Sequence, residues 1–162
     1  MIRTLAPGGP ELADVDRVGR ILGLDVGDRW IGVALSDPEG ILASPLTRIT
    51  RTGTEATIGA ILQLVRQYEV KRIVAGLPYS MQGGLGQQAM KVLDFLHELR
   101  QHLEIPVESV DERLSTVAAG RKMREAGIVK KRKKEKIDAA AAALILQAYL
   151  DEVRPPKMYY LP

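Results

Sequence analysis

Residues 21–37 read ILGLDVGDRWIGVALSD, and the reading of this stretch decides the fold. Two apolar, β-rich runs, Arg20–Val26 and Trp30–Ser36, are joined by the short turn Gly-Asp-Arg, which is a hairpin signal. One carboxylate, Asp25, stands in the middle of the first run. An ionised Asp in a strand core is unfavourable by several kcal/mol unless something pairs with it. Two readings are open at this point. Asp25 caps backbone amides where the strand ends in a turn, or it is a ligand for something brought to it by the rest of the chain.

Working outward, Asp37-Pro38-Glu39-Gly40 is a turn, and Ile41–Arg51 continues as a third strand in which Pro45 predicts a bulge or an edge position. Thr54 then N-caps a helix that carries Ile58, Ile61, Leu62 and Val65 at helical spacing. Arg72–Ala75 reads as a short buried strand ending in Gly-Leu-Pro. A glycine-rich loop, MQGGLG, follows, and then a helix over about residues 87–103 with Met90, Leu93, Leu96 and Leu99 inward. Pro106 opens a fifth strand, PVESVDER. Ser115–Ala126 reads as a helix closed by Gly127, and an alanine-rich helix over Glu135–Asp151 ends the fold. The order β-β-β-α-β-α-β-α-α predicts an α/β domain. Its mixed five-stranded sheet has three antiparallel strands and then parallel additions, flanked by helices on both faces.

Composition narrows the function classes. A chain of 162 residues, 46% hydrophobic, is enough for one core and too short for two. The absence of cysteine excludes disulfides, thiolate–zinc sites and cysteine nucleophiles. His97 and His102 share one amphipathic stretch and read as surface helix positions. No apolar run approaches a membrane span and the N-terminus lacks a secretory h-region, so a cytoplasmic protein is expected. Residues 1–19 mix Pro, Gly and acids without periodicity and read as a disordered leader. The folded domain is 20–152, and 153–162 reads as an irregular tail. Charge is uneven. Residues 113–136 hold ten Lys or Arg against Glu125 and Glu135, a local +8 that leaves −5 for the rest of a chain whose net charge is +3. A basic block on an acidic body points to a polyanionic partner.

Three acids on separate elements can meet if the topology permits. Asp25 is on the first strand, Asp111 and Glu112 end the last, and Asp138 opens the final helix just ahead of Ala139–Ala143. That alanine run allows a helix to approach the sheet closely and to bring Asp138 near the strand ends. The plainer reading of Asp138 is a complement to the helix N-terminus, worth about 0.3–1 kcal/mol. Clustered carboxylates suit Mg²⁺ or Mn²⁺, and two such ions about 3.5–4 Å apart would activate water for phosphodiester cleavage.

The segments GLDVGDRWIGVALSD, IVAGLPYSMQGG, VDERLSTVAA and KIDAAAAALILQAYLDE, in this order, resemble the YqgF/RuvX family over about residues 20–152. The resemblance implies an RNase H-like fold and a nuclease of the kind that processes pre-16S rRNA. It implies catalytic, metal-holding carboxylates at Asp25, at the acid of the DER motif, and at Asp138. The second role is carried to Glu112, with Asp111 as the alternate, since strand alternation sends neighbours to opposite faces. It also implies substrate contacts from Arg29, Arg113, Ser115 and Thr116. A salt bridge for Arg29 and a helix cap for Ser115 or Thr116 are the plainer alternatives. The glycines at 76 and 83–84 frame a loop whose amides could approach a phosphate. The loop GIVKKRKKEK would follow a nucleic-acid backbone electrostatically through Lys130, Lys131, Arg132, Lys133 and Lys134. Aromatics are few, with Trp30 and Phe95 expected in the core, so base stacking is not supported.

The expected function is therefore a Mg²⁺- or Mn²⁺-dependent endonuclease on structured nucleic acid, first of all in 5′-end processing of pre-16S rRNA. A ribosomal precursor particle is a further partner, and the protein is expected to be a monomer or weak homodimer. The alternatives are a Holliday junction resolvase acting on branched DNA and a non-catalytic RNA-binding factor of ribosome assembly. An ATP-dependent reading of the hairpin, by likeness to actin- and hexokinase-like proteins, requires a second domain for which the chain is too short.

Overall fold

The central strands, Arg20–Val26, Trp30–Ser36 and Val70–Leu77, are buried along almost their whole length, because successive side chains point to opposite faces and both faces of the sheet are covered. The computed structural model describes residues 19–79, 84–112 and 131–153, with 131–136 by backbone alone. The strands are β1 (Arg20–Val26), β2 (Trp30–Ser36), β3 (Ala43–Thr50), β4 (Val70–Leu77) and β5 (Val107–Asp111). The described helices are α1 (Thr54–Tyr68), α2 (Gln87–Arg100) and α3 (Lys131–Val153). The sheet order is β3-β2-β1-β4-β5. β2 pairs antiparallel with both β1 and β3, while β4 joins β1, and β5 joins β4, in parallel. The mixed five-stranded sheet expected from the hairpin is the sheet observed.

On one face Leu22, Leu24, Ile31, Val33, Ile73, Ala75 and Val107 pack against Ile58 and Ile61 of α1 and Val92, Phe95, Leu96 and Leu99 of α2. On the other, Ile21, Ala34 and Val74 pack against Ala141, Ala142, Ile145, Leu146 and Leu150 of α3. The period of two along the strands and the helical period along α1–α3 thus meet in two separate cores. Pro45 sits where β3 is irregular. Val33 pairs with Thr47 but Ala34 pairs with Pro45, so Leu46 is the extra residue of a bulge on an edge strand.

The α3 face is set by close approach. A Cβ on Gly32 would overlap the carbonyl oxygen of Asp138 and lie 2.5 Å from its carbonyl carbon. At Gly23 a Cβ would meet Leu146 Cβ at 2.8 Å and the Ala142 carbonyl oxygen at 3.1 Å. The alanines on the helix and the glycines on the strands together let backbone rest on backbone. Gln147 anchors the same helix to the start of β3. Its Oε1 accepts from the Ala43 amide at 2.9 Å and its Nε2 donates to the Ile41 carbonyl at 3.0 Å.

Several sequence expectations are corrected. Helix α3 begins at Lys131, four residues before the expected Glu135, so Lys131–Lys134 are helical rather than part of a loop. Lys, Arg, Glu and Ala are all good helix formers, and the charge run obscured that propensity. Helix α2 ends at Arg100, with turn hydrogen bonds carrying the chain on to Leu103. Its Met90 is exposed, and Ala89, Val92 and Phe95 take the inner face with Leu96 and Leu99. Thr54 is the first helical residue rather than the cap, since Gly53 holds the N-cap position without a side-chain bond. Trp30 is only half-buried, whereas Phe95 is in the core. The leader 1–18, the helix expected over 115–126 and the tail 154–162 lie outside the described residues. Among the described residues no helix is long and apolar enough to cross a membrane.

The Gly32 contact makes a prediction. Gly32→Ala must push backbone away from backbone, and a loss of about 3 kcal/mol or more in unfolding free energy is expected. Gly59→Ala, on the exposed face of α1 with nothing within 4 Å of the new methyl, is expected to stabilise by about 0.5–1 kcal/mol. Urea unfolding of the two variants checks both signs.

Candidate functional site

The carboxylates singled out in the sequence come to one end of the sheet and one face of it. Asp25 pairs across the hairpin with Gly32, and Gly32 pairs in turn with Arg48 on β3. Residues directly opposite in an antiparallel ladder share a face. Since Asp138 covers Gly32, the Asp25 side chain faces α3 as well. On the other side of β1, Leu24 pairs with Ala75, and the next step of that register sets Asp25 level with Gly76. A Cβ on Gly76 would lie 3.0 Å from Glu112 Oε2 and 2.6 Å from Ile145 Cδ1. The Glu112 carboxylate therefore reaches back over β4 into space that only a glycine leaves open.

Across the sheet this gives a row: Arg48 on β3, Asp138 over β2, Asp25 on β1, Gly76 on β4 with Glu112 above it. All three acids are buried, Asp25 and Glu112 to 4% exposure and Asp138 to 7%. The row lies toward the carboxyl ends of the parallel strands β1, β4 and β5, where open α/β sheets place their ligand sites. Among the described residues, no three His, Cys, Asp or Glu side chains are gathered into a ready-made metal-holding group. The arrangement is a lined face rather than a closed cage.

Asp138 does not sit where the sequence placed it. It is the eighth residue of α3, about two turns in, so the helix-dipole reading fails, because that effect is confined to the first turn. Its partner is one the sequence reading missed. Arg48 Nη1 donates to Asp138 Oδ2 at 3.3 Å, with side-chain exposures of 11% and 10%. The same guanidinium lies over the Trp30 ring, 4.3 Å from its centroid, in a cation–π contact. An Arg on an otherwise exposed edge strand reads as a solvated charge. The available signal was its alternation with Ile49, which packs with the α1–α2 core and leaves Arg48, opposite Gly32, on the side facing α3.

Of the two candidate acids in DER, Glu112 is the one brought to Gly76. Asp111 is half-buried at the end of β5. Both line a cleft of about 400 Å³ between β5 and α3, together with Ile145, Gln147 and Tyr149. Arg29 is exposed at the tip of the β1–β2 turn. That turn is held by Arg51, another residue the sequence reading missed. Arg51 Nη1 donates to the Gly27 carbonyl at 2.7 Å, its amide donates to the Arg29 carbonyl at 2.8 Å, and its guanidinium lies over Phe95. Lys131–Lys134 form the first turn of α3, while Arg113, Ser115, Thr116, Lys130 and glycine 83 of the phosphate-loop expectation lie outside the described residues.

The family model described as RuvX, Holliday junction resolvase, matches residues 19–152. The chain belongs to the RuvX family. Named relatives agree over nearly their whole lengths. A protein of Roseiflexus sp. (strain RS-1), named "Putative pre-16S rRNA nuclease", is 48% identical over 84% of this chain and 96% of its own. One of the same name from Moorella thermoacetica is 49% identical over 83% and 96%. Among solved structures, T. thermophilus RuvC in complex with a Holliday junction substrate superposes with a TM-score of 0.52 at 15% identity, covering 83% of this chain and 94% of that one. That likeness bears on the fold alone and agrees with the RNase H-like expectation. Within the RuvX domain, the sheet and α3 described above hold the carboxylate face inside the matched residues.

Gly76 gives the face a test of its own. Gly76→Ala meets the far end of the Ile145 side chain, which can turn aside, so a loss of only about 1 kcal/mol is expected. The Glu112 carboxylate has less room, and its carboxyl ¹³C resonance is expected to move. An unshifted resonance in the folded variant would contradict the placement of Glu112 over β4.

Proposed function

We propose that this protein is a divalent-metal-dependent endonuclease that hydrolyses phosphodiester bonds in structured RNA, and that its substrate is the 5′ end of pre-16S rRNA in the cytoplasm. The observation that carries the reading is the row of three buried acids, Asp138, Asp25 and Glu112, on the α3 face at the carboxyl ends of parallel strands. The relatives' name supplies the substrate.

The donor set fits Mg²⁺ or Mn²⁺. The groups are hard carboxylate oxygens from three elements, and such ions take one or two carboxylates and complete their shell with water and phosphate oxygens. A lined face without a closed cage suits that habit. Asp25 and Glu112, with Asp138, would hold the ion. When bound, it supplies an acidified water and charge stabilisation for in-line displacement at phosphorus.

The chain's own residues do the rest. Asp25 is held by ladders on both sides of β1, so its carboxylate is presented by a rigid strand rather than a loop. Arg29, exposed on a turn anchored by Arg51, stands three residues past the end of β1's buried run and can meet a phosphate. Lys131 starts the helix that carries Asp138 seven positions later, about 10 Å along the axis. The run Lys130–Lys134 would thus bind the RNA backbone beside the acids, through charge and not base edges. Arg113, Ser115 and Thr116 follow Glu112 directly in the chain and are proposed to contact substrate.

The family description keeps a second substrate in view, a four-way DNA junction. The deciding experiment is Mn²⁺-dependent cleavage of a pre-16S 5′ fragment beside a four-way junction, with wild type, Asp25→Asn and Glu112→Gln. Cleavage of the RNA is expected, lost by more than about a hundredfold in both variants while RNA binding holds within about twofold. Junction cleavage alone would move the protein to the resolvase reading. Undiminished cleavage by Asp25→Asn would remove the acids from the chemistry. No cleavage by wild type would favour a non-catalytic RNA-binding role.

A further inference from the structure

Arg48 has no part in the function just described, yet it occupies the end of the carboxylate row. Its guanidinium is nearly as buried as the acid it binds, at 11% against 10% side-chain exposure. Its Cζ lies over the Trp30 ring, while its Nη1 donates to Asp138 Oδ2. Two contacts on a planar, permanently charged group fix it in place, a use to which Lys is poorly suited. The backbone of Asp138 is itself held against Gly32. The order across the sheet is therefore cation, acid, acid, acid, with the cation built into the protein at one end.

Resting on the proposed metal site, we propose that Arg48 is a positioning residue that acts as the resident counter-cation of Asp138, stabilising the buried carboxylate and weakening the hold of the row on a divalent ion. The physical basis has two parts. A buried carboxylate is stabilised by an opposite charge, and removal of a charged partner weakens that compensation. The same guanidinium engages one carboxylate oxygen and repels a second cation brought to the row, an interaction that low local dielectric strengthens. One residue would thus make the domain stable without a divalent ion and keep ion binding weak and exchangeable.

The two parts are tested separately on the full chain. In chelator, Arg48→Met keeps a long side chain on Trp30 but removes the charge, and a fall in Tm of about 5 °C is expected. Asp138→Asn should cancel most of that fall when the two are combined, which a packing role for Arg48 would not produce. By calorimetric titration with Mn²⁺, Arg48→Met should bind about tenfold more tightly than wild type, and Arg48→Lys should return toward wild-type affinity. Equal or weaker Mn²⁺ binding by Arg48→Met overturns the proposal, even if the wild-type protein binds the ion. A fall in Tm that Asp138→Asn leaves intact overturns it as well. Binding by Arg48→Met where wild type shows none would support it. No Mn²⁺ binding by either protein, with the thermal coupling present, overturns the effect on the ion and the metal site of the proposed function together. The ion pair would then stand as a structural contact.

Discussion

The backbone of α3 at Asp138 rests directly on Gly32 of β2, with no room for a Cβ between them. The charged face depends on this contact. It places a helix residue level with a strand residue, so that Asp138 and Asp25, far apart in sequence, lie over neighbouring strands of one sheet. Gly23 permits the same approach two turns further along the helix, against Ala142 and Leu146. Gly76 performs the analogous service for Glu112, whose carboxylate occupies the space a side chain on β4 would fill. Small residues here are not weak points in the packing. They are the reason the acids share a face.

Burying three carboxylates side by side is electrostatically unfavourable, and the protein responds at the β3 end of the row. At the β3 end Arg48 pairs with Asp138 and is itself supported by Trp30. Toward the hairpin tip Arg51 ties the turn after β1 to the end of β3 and to Phe95. Arg48 lies on β3 and Arg51 just past its end, three residues further on, and the two serve opposite layers of the fold. Arg48 meets the α3 side, and Arg51 meets the core beneath α1 and α2. An edge strand that seemed to carry solvated charge is therefore what links the site to both layers.

The fold was legible because its signals are local and periodic. Two apolar, β-rich runs in 20–36, a tight Gly-Asp-Arg turn and a proline at the third strand specify a hairpin extended to an edge strand, and the sheet has that form. The misreadings were local as well. Met90 fits a helical stripe beside Leu93, but the stripe is rotated so that Ala89 and Val92 face inward. Periodicity gives the width of an apolar face, and the choice of its centre between Met and Ala depends on the room beneath it. At α3 a run of like charge was read as loop, although every residue in it favours a helix.

What the sequence by itself determined is the set of acids and the elements that carry them. An ionisable residue inside an apolar strand is visible as an exception to its own pattern, and Asp25 is such an exception. The tertiary structure decided three further things. It brought Glu112 rather than Asp111 over Gly76, moved Asp138 from a helix start to the helix interior, and gave Asp138 the guanidinium of Arg48. Each depends on which atoms of separate elements come within a few ångströms. Chain periodicity sets the face a residue lies on, but close approach depends on the side chains that are missing between two backbones. That pairing of gaps, glycine against alanine across 100 residues of chain, exists only once the helix is laid on the sheet.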